Sequence, residues 1–523
     1  MNKTLETFQK FWLKPTAILS FAVFIGFWLV QIRTAPLLYD DSVMASVAKN
    51  LAEGHGYSTS YVKFKPFDHI ITTGPTLILP VSAMVRIFGN QYWVPAFGSS
   101  LVVLALVFAF LLLMRRMIRP LDHFWWFLLC FSLLGFWISD EVSHSGEYRY
   151  FKPWYSLVGE TAGSFFFLLG FVCLLGDWQK PKQTWSRFFG FGLLLGLGLL
   201  TKFIFLVPLV TLVGGRLLWS LIEKRPPKSL LLAMVVGIAG LLPISIYAGL
   251  KTIFRDPELA SFGSFLRGNA SGINEMLAHP NKIAYALDNF ERGVHTIAGL
   301  CGGDLSILII AVIGLILIRN GLKTRRPVAI TGLAVLVAGF SVLGWWLFFS
   351  PFAWVRHVIP ALILIWIGSL LLLSEVQLRK QFILGGIVLL LVFGGRRDLY
   401  GKFIAGLSVD QRVTMSLEAK NQIEKLPLEQ TQLLGCAWWA NRDLEYLLDG
   451  SVNFQDCLTF LPSRDPNDQR QVVLVRNSTF WNWENSAIQK RLQELCDQQP
   501  IWKGGEYTIS KCENLQNFDS TSL

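Results

Sequence analysis

Long apolar runs separated by short, mostly basic breaks fill the chain from about residue 15 to residue 395. The runs lie at 15–32, 93–114, 124–139, 157–175, 188–200, 203–222, 229–249, 304–318, 327–349, 358–374 and 381–395. A helix of about 20 apolar residues crosses the hydrocarbon of a bilayer, so this pattern predicts a polytopic α-helical membrane protein of about 11 spans. The run at 188–200 is short for an upright crossing. Residues 74–88, which include Pro75 and Pro80, are expected to lie in the interface as a juxtamembrane element. If they crossed, Arg115, Arg116 and Arg119 would be left outside, against the positive-inside rule.

With that assignment the later basic clusters all fall in cytoplasmic turns: Lys180, Lys182 and Arg187; Lys224, Arg225 and Lys228; Arg319, Lys323, Arg325 and Arg326; Arg379 and Lys380. The first run lacks a small-residue cleavage site and reads as an uncleaved span with a cytoplasmic N-terminus. The chain is then expected in the plasma or inner membrane, with its C-terminal part extracytoplasmic. After Arg396 the pattern turns soluble. It predicts helices at 409–425, 438–448 and 484–496 and strands at 431–435, 472–476 and 506–511, a small α/β domain. The expected organisation is a transmembrane domain over 1–395, with an outer loop at 33–72, and an accessory α/β domain over 396–523.

Within that outer loop, the stretch from Tyr39 to Tyr57 carries two adjacent carboxylates, Asp40 and Asp41, at the start of a short amphipathic helix. Val43, Val47 and Leu51 recur at helical spacing, Ser42, Ser46, Lys49, Asn50 and Glu53 face the other way, and Gly54 and Gly56 end the helix. The helix is too short and polar to span, so it is expected to lie in the interface. One aspartate can cap the helix while the other accepts a proton or binds a cation. Other polar chemistry also collects in expected outer segments: 140–156, the Thr201–Lys202 turn, a long loop at 250–303, and the turn at Arg356 and His357. Glu160 begins a span from the outer side, where an acidic group is costly and therefore a functional candidate. Asp140 and Glu141 read as solvated loop.

Composition sharpens the class. The 523 residues are 52% hydrophobic and 16% charged, with 40 Phe, the profile of a membrane protein. A net charge of +11 would suit nucleic acid, but its cations sit in the turns between spans, so no nucleic-acid partner is expected. Four of the seven cysteines, Cys436, Cys457, Cys496 and Cys512, fall in the last fifth of the chain. Disulfides are expected there, with Cys496 and Cys512, at a helix end and a strand end, the preferred pair. Walker A, HExxH and GxSxG motifs are absent. Gly192 and Gly196 form a GxxxG pattern that reads as span packing. Asn269 and Asn477 begin glycosylation sequons, a weak pattern.

Asp40-Asp41 with the Ala-Lys-Asn-Leu-Ala-Glu-Gly-His-Gly-Tyr helix end resembles the first outer loop of GT-C glycosyltransferases, near the protein O-mannosyltransferase and aminoarabinose transferase branch. Further matches are Thr72-Thr73-Gly74-Pro75-Thr76-Leu77, Leu200-Thr201-Lys202, and Arg356-His357 followed by Pro360. They span about residues 15 to 395. The branch commonly has Asp-Glu where this chain has Asp40-Asp41, and Lys-Pro-Pro where it has Thr-Gly-Pro. The resemblance implies a GT-C-like fold and transfer of a hexosyl or pentosyl group from a polyprenyl-phosphate donor to a lipid, glycan or protein acceptor at the outer face.

Such chemistry needs a base for the acceptor hydroxyl and cations for the departing phosphate. Asp40 or Asp41 offers the base, Asp40 matching the leading acid of the family pair. Lys202, Arg356 and His357 offer the donor-phosphate contacts, against the plainer reading of cations snorkelling at span ends. A divalent metal is compatible with two carboxylates, but hard cations want more oxygen ligands than two, so no metal ligand is assigned. The rival reading is a transporter or flippase for a lipid-linked or small polar solute. Such proteins show internal repeats and charges near the midplane, and neither is visible here.

Overall fold

The structure is a computed structural model that describes residues 11–34, 40–59, 65–66, 73–141, 154–175, 185–212, 235–243, 278–300, 304–324, 326–349, 355–394, 409–435, 441–448, 454–456, 470–478, 494–496 and 500–512, with isolated positions between them. The chain forms two compact units. The first is Met1–Leu29, His69–Leu77 and Ser100–Ile404; the second is Val30–Asp68, Ile78–Ser99 and Ala405–Leu523.

In chain order the described helices begin with α1 (Leu13–Thr34), α2 (Asp40–Glu53), α3 (Pro75–Phe88), α4 (Val94–Met117), α5 (Leu121–Glu141), α6 (Glu160–Leu175) and α7 (Trp185–Thr201). They continue with α8 (Lys282–Leu300), α9 (Asp304–Thr324), α10 (Pro327–Phe349), α11 (Val355–Ser374) and α12 (Leu378–Gly394). Helices α1, α4, α10 and the part of α11 from His357 are long and apolar enough to cross a membrane; α3 and stretches of α5, α6 and α7 are shorter apolar helices. Much of the predicted spans at 203–222 and 229–249 lies outside the described residues.

The first unit is packed by aromatic side chains and close helix contacts. Trp28 is buried and donates to Ser100 Oγ at 3.0 Å, while Trp154 donates to the Gly135 carbonyl at 3.0 Å, so neither indole N–H is stranded. The GxxxG pair packs as a helix contact. A Cβ on Gly196 would sit 2.2 Å from the Gly240 carbonyl, so only glycine admits that approach. The expected loop at 250–303 is corrected at its C-terminal end. Residues Lys282–Leu300 form an amphipathic helix, α8, whose Phe290 stacks on Phe348 of α10 with ring centroids 5.4 Å apart.

The second unit contains a five-stranded sheet in the order β4-β3-β5-β7-β6, made of β3 (Thr431–Gly435), β4 (Phe454–Asp456), β5 (Gln471–Asn477), β6 (Pro500–Gly504) and β7 (Tyr507–Lys511). Strands β4, β3 and β5 are parallel, and β7 and β6 add antiparallel. A two-stranded antiparallel ribbon of β1 (Ser58–Thr59) and β2 (Lys65–Pro66) lies between α2 and α3 in sequence. Three strands were expected in the C-terminal part. The two added ones are edge strands too short or too polar to show an alternating pattern.

Helix α13 (Gln411–Ile423) begins at Asp410, whose carboxylate accepts from the Arg412 amide at 2.8 Å. The expected helix at 438–448 is α14, Arg442–Leu447. Most of the predicted helix at 484–496 lies outside the described residues. Cys496 and Cys512 form a disulfide, while Cys436 and Cys457 lie outside the described residues. Asn477 is buried in β5, an unsuitable position for a glycan, and Asn269 lies outside the described residues.

Candidate active site

Two chain segments that the sequence places at span ends, and a third expected in the interface, meet in the first unit. Gly159, with φ of +85°, turns the chain just before α6, and Glu160 occupies the first turn of that helix. Lys202 directly follows the last residue of α7, its amide bonded to the Gly198 carbonyl at 2.9 Å. The carboxylate thus sits at the positive end of one helix dipole and the ammonium at the negative end of another. Glu160 and Lys202 pair at 3.3 Å, with the Glu160 side chain 1% exposed and that of Lys202 13% exposed.

The third segment closes the junction. The Thr73 hydroxyl donates to the Leu157 carbonyl, and the Gly74 amide donates to the Thr201 carbonyl at 3.1 Å. A Cβ on Gly74 would lie 1.6 Å from the Leu200 carbonyl oxygen, so the backbones touch where no side chain fits. Pro75 then starts α3, a position that suits its fixed φ and missing N–H.

Burying this pair is costly and rarely chosen for stability alone. Glu160 Oε2 has no hydrogen-bond partner among the described residues. The more exposed Lys202 ammonium carries three donors, and Glu160 is its carboxylate partner. The arrangement offers a cation of fixed position, held from behind by a buried anion, which suits an oxyanion or phosphate.

The acidic pair belongs to the second unit. Asp40 and Asp41 occupy the first turn of α2; Asp40 is buried and Asp41 half-buried. The polar side of the amphipathic helix is buried as well as its apolar side. Ser46, Lys49 and Asn50 are buried along with Val43 and Val47, because α14 covers the polar side. Sequence reasoning assigned Lys49 no role; nothing near it in sequence signals a partner about 400 residues away.

Of the other candidates, Arg356 and His357 lie in the first turn of α11, with Pro360 inside the same helix. His357 is half-buried; the Arg356 side chain lies outside the described residues. The structure therefore brings Glu160 and Lys202 into contact in one unit and keeps Asp40 beside Asp41 in the other. Among the described residues no three His, Cys, Asp or Glu side chains gather as a metal site.

No family model matches the chain, and no curated protein matches it by sequence. Its structure is similar to the crystal structure of ArnT from Cupriavidus metallidurans bound to undecaprenyl phosphate, with a TM-score of 0.57 and 14% identity over 95% of this chain and 98% of that one. The apo crystal structure of the same ArnT gives 0.54 and 14% identity over 96% and 99%. The chain has a GT-C fold. An oligosaccharyltransferase from Archaeoglobus fulgidus, in complex with Zn and sulfate, is a weaker likeness at 0.43 and 13% identity over 88% of this chain and 68% of that one. In this GT-C fold the Gly74, Glu160 and Lys202 segments form one junction, although 42 residues separate Glu160 from Lys202 in sequence.

Proposed function

We propose that the chain is an integral membrane glycosyltransferase that moves a sugar from a polyprenyl-phosphate donor to a lipid, glycan or protein acceptor on the outer face of the membrane. The observation that supports this reading most is the Glu160–Lys202 pair, a buried carboxylate fixing a partly accessible ammonium at 3.3 Å. The likeness of fold to an ArnT bound to undecaprenyl phosphate adds to it. The acceptor oxygen attacks the anomeric carbon, the bond from that carbon to the phosphate oxygen breaks, and the phosphate leaves on its lipid. Asp40, with Asp41 beside it, takes the hydroxyl proton. Lys202, with Arg356 and His357, neutralises the phosphate as its charge grows, and Glu160 keeps Lys202 extended.

Mass spectrometry of lipid-linked sugars and envelope glycans, with and without the gene, identifies the donor to supply. A transfer assay on membranes at equal expression then separates the roles. Asp40→Asn or Asp41→Asn is expected to lower turnover by about 10² to 10⁴ fold with donor binding retained. Lys202→Met is expected to weaken donor binding and turnover together. Full activity in both Asn variants would remove the catalytic role of the pair, and no transfer by the unaltered chain would favour the transporter or flippase reading.

A further inference from the structure

Lys49 has no exposed surface at all. Its ammonium donates to the carbonyl of Glu445 at 2.7 Å and to that of Leu448 at 2.6 Å. These carbonyls close the C-terminal end of α14, where helix carbonyls lack partners within the helix and carry the negative end of its dipole. One turn earlier on α2, the Ser46 hydroxyl donates to the Arg442 carbonyl at 3.3 Å. The polar face of α2 is therefore seated along the backbone of α14.

The receiving helix is itself fixed. The Asn441 side-chain Nδ2 donates to the Val475 carbonyl in β5 at 2.7 Å. Ser416 of α13 and Tyr507 of β7 each donate to Asp443 Oδ2 at 2.5 Å. The Tyr446 hydroxyl donates to the Gln91 carbonyl at 3.1 Å. All six residues of α14 are buried, so it joins the sheet to α2 as a rigid strut.

A lysine is a poor choice if only packing is required. Val47 and Ala48 beside it are buried apolar residues, and burying an ammonium is costly unless its hydrogen bonds are well made. What two charge-assisted bonds add is direction: they fix the rotation and the axial position of α2, which apolar contacts leave free to slide. The same helix begins with Asp40 and Asp41.

We infer that Lys49 is a positioning residue for the acidic pair, holding α2 against α14 so that the C-terminal sheet domain sets the placement of Asp40 rather than serving as an appendage. The inference rests on the reading that the pair takes the acceptor proton. A catalytic group displaced by about 1 Å loses about 10² fold in rate, so the seat of its helix is a rate-determining feature.

The test uses the full chain in three variants, Lys49→Met, Lys49→Arg and Asp40→Asn, with amide hydrogen exchange and transfer kinetics measured on each. Lys49→Met should raise exchange across Asp40–Glu53 by about tenfold while β5 and β7 keep their protection. Its turnover should fall by about 10 to 100 fold with the donor KM within about twofold. Lys49→Arg, which still donates, should recover most of both. Unchanged exchange in α2, exchange rising equally in β5, or wild-type turnover in Lys49→Met while Asp40→Asn is inactive each overturn the positioning role alone. Full activity in Asp40→Asn overturns the reading of Asp40 as the base, and the inference with it, whatever Lys49→Met does.

Discussion

At Asp443 a single carboxylate ties three elements of the second unit together. It is buried, and burial pushes its pKa up; the hydrogen bonds from Ser416 and Tyr507 pull the other way without cancelling that shift. Burial and the neighbouring carboxylate in turn push the Tyr507 phenol well up. A carboxyl whose folded pKa exceeds its unfolded value binds more protons when folded. Its contribution to stability is complete below the ordinary aspartate range, about pH 4, and is lost as pH rises through the raised value. Asp443→Asn should flatten that part of the pH–stability curve, as thermal unfolding of the full chain in detergent between pH 4 and 8 (roughly the span over which such shifts act) will measure. A slope unchanged by the substitution would remove Asp443 as its source. None of this was legible in the sequence, because Ser416 and Tyr507 lie 27 and 64 residues from Asp443. Glu160 and Lys202 were legible as charges at span ends, since apolar runs make such charges conspicuous; that they pair was not.

Between elements, the close approach at Gly74 decides whether the junction of the Leu157–Glu160, Thr73–Pro75 and Leu200–Lys202 segments can form. A methyl at Gly74 would overlap the Leu200 carbonyl at 1.6 Å, and backbone on both sides leaves no flexible side chain to yield. Gly74→Ala is expected to cost about 3 kcal/mol of stability. It should also weaken donor binding by loosening Lys202, read as a lowered Tm and a raised donor KM; a normal Tm would mean the segments tolerate separation. Most helices could be read from the apolar runs because a membrane span carries its pattern within itself. Helix α8 could not, since Asp288, Glu291, Arg292 and His295 break the apolar run and leave only an amphipathic stripe. Strands β4 and β6 also escaped notice. Phe454-Gln-Asp456 is too short to alternate, and β6 starts at Pro500 with an irregular register near Trp502. The two sides of α2 could be read from the spacing, but what covers the polar side could not, since the backbone that Lys49 meets lies about 400 residues away.

For the whole molecule, the charge pattern predicts a topology that labelling can test. Glu53, at the exposed end of α2, is expected outside, and Lys323, exposed near the end of α9, inside. A membrane-impermeant maleimide on intact cells should therefore label Glu53→Cys and leave Lys323→Cys unreacted until the membrane is opened. The reverse pattern would place the Glu160–Lys202 pair and the acidic helix on the wrong side for an outer-face transferase. The seat of α2 also has a consequence in time. Ser46 and Arg442 are 396 residues apart, and at about 5 to 20 residues per second the ribosome makes the second roughly 20 to 80 s after the first. Through that interval the Lys49 ammonium has none of the α14 carbonyls to hold, and the newborn helix waits unseated with its polar side uncovered by its final neighbour. A nascent chain stalled before α14 should accordingly be a substrate for surveillance proteases and chaperones, and release should coincide with the moment the last domain closes over the first loop.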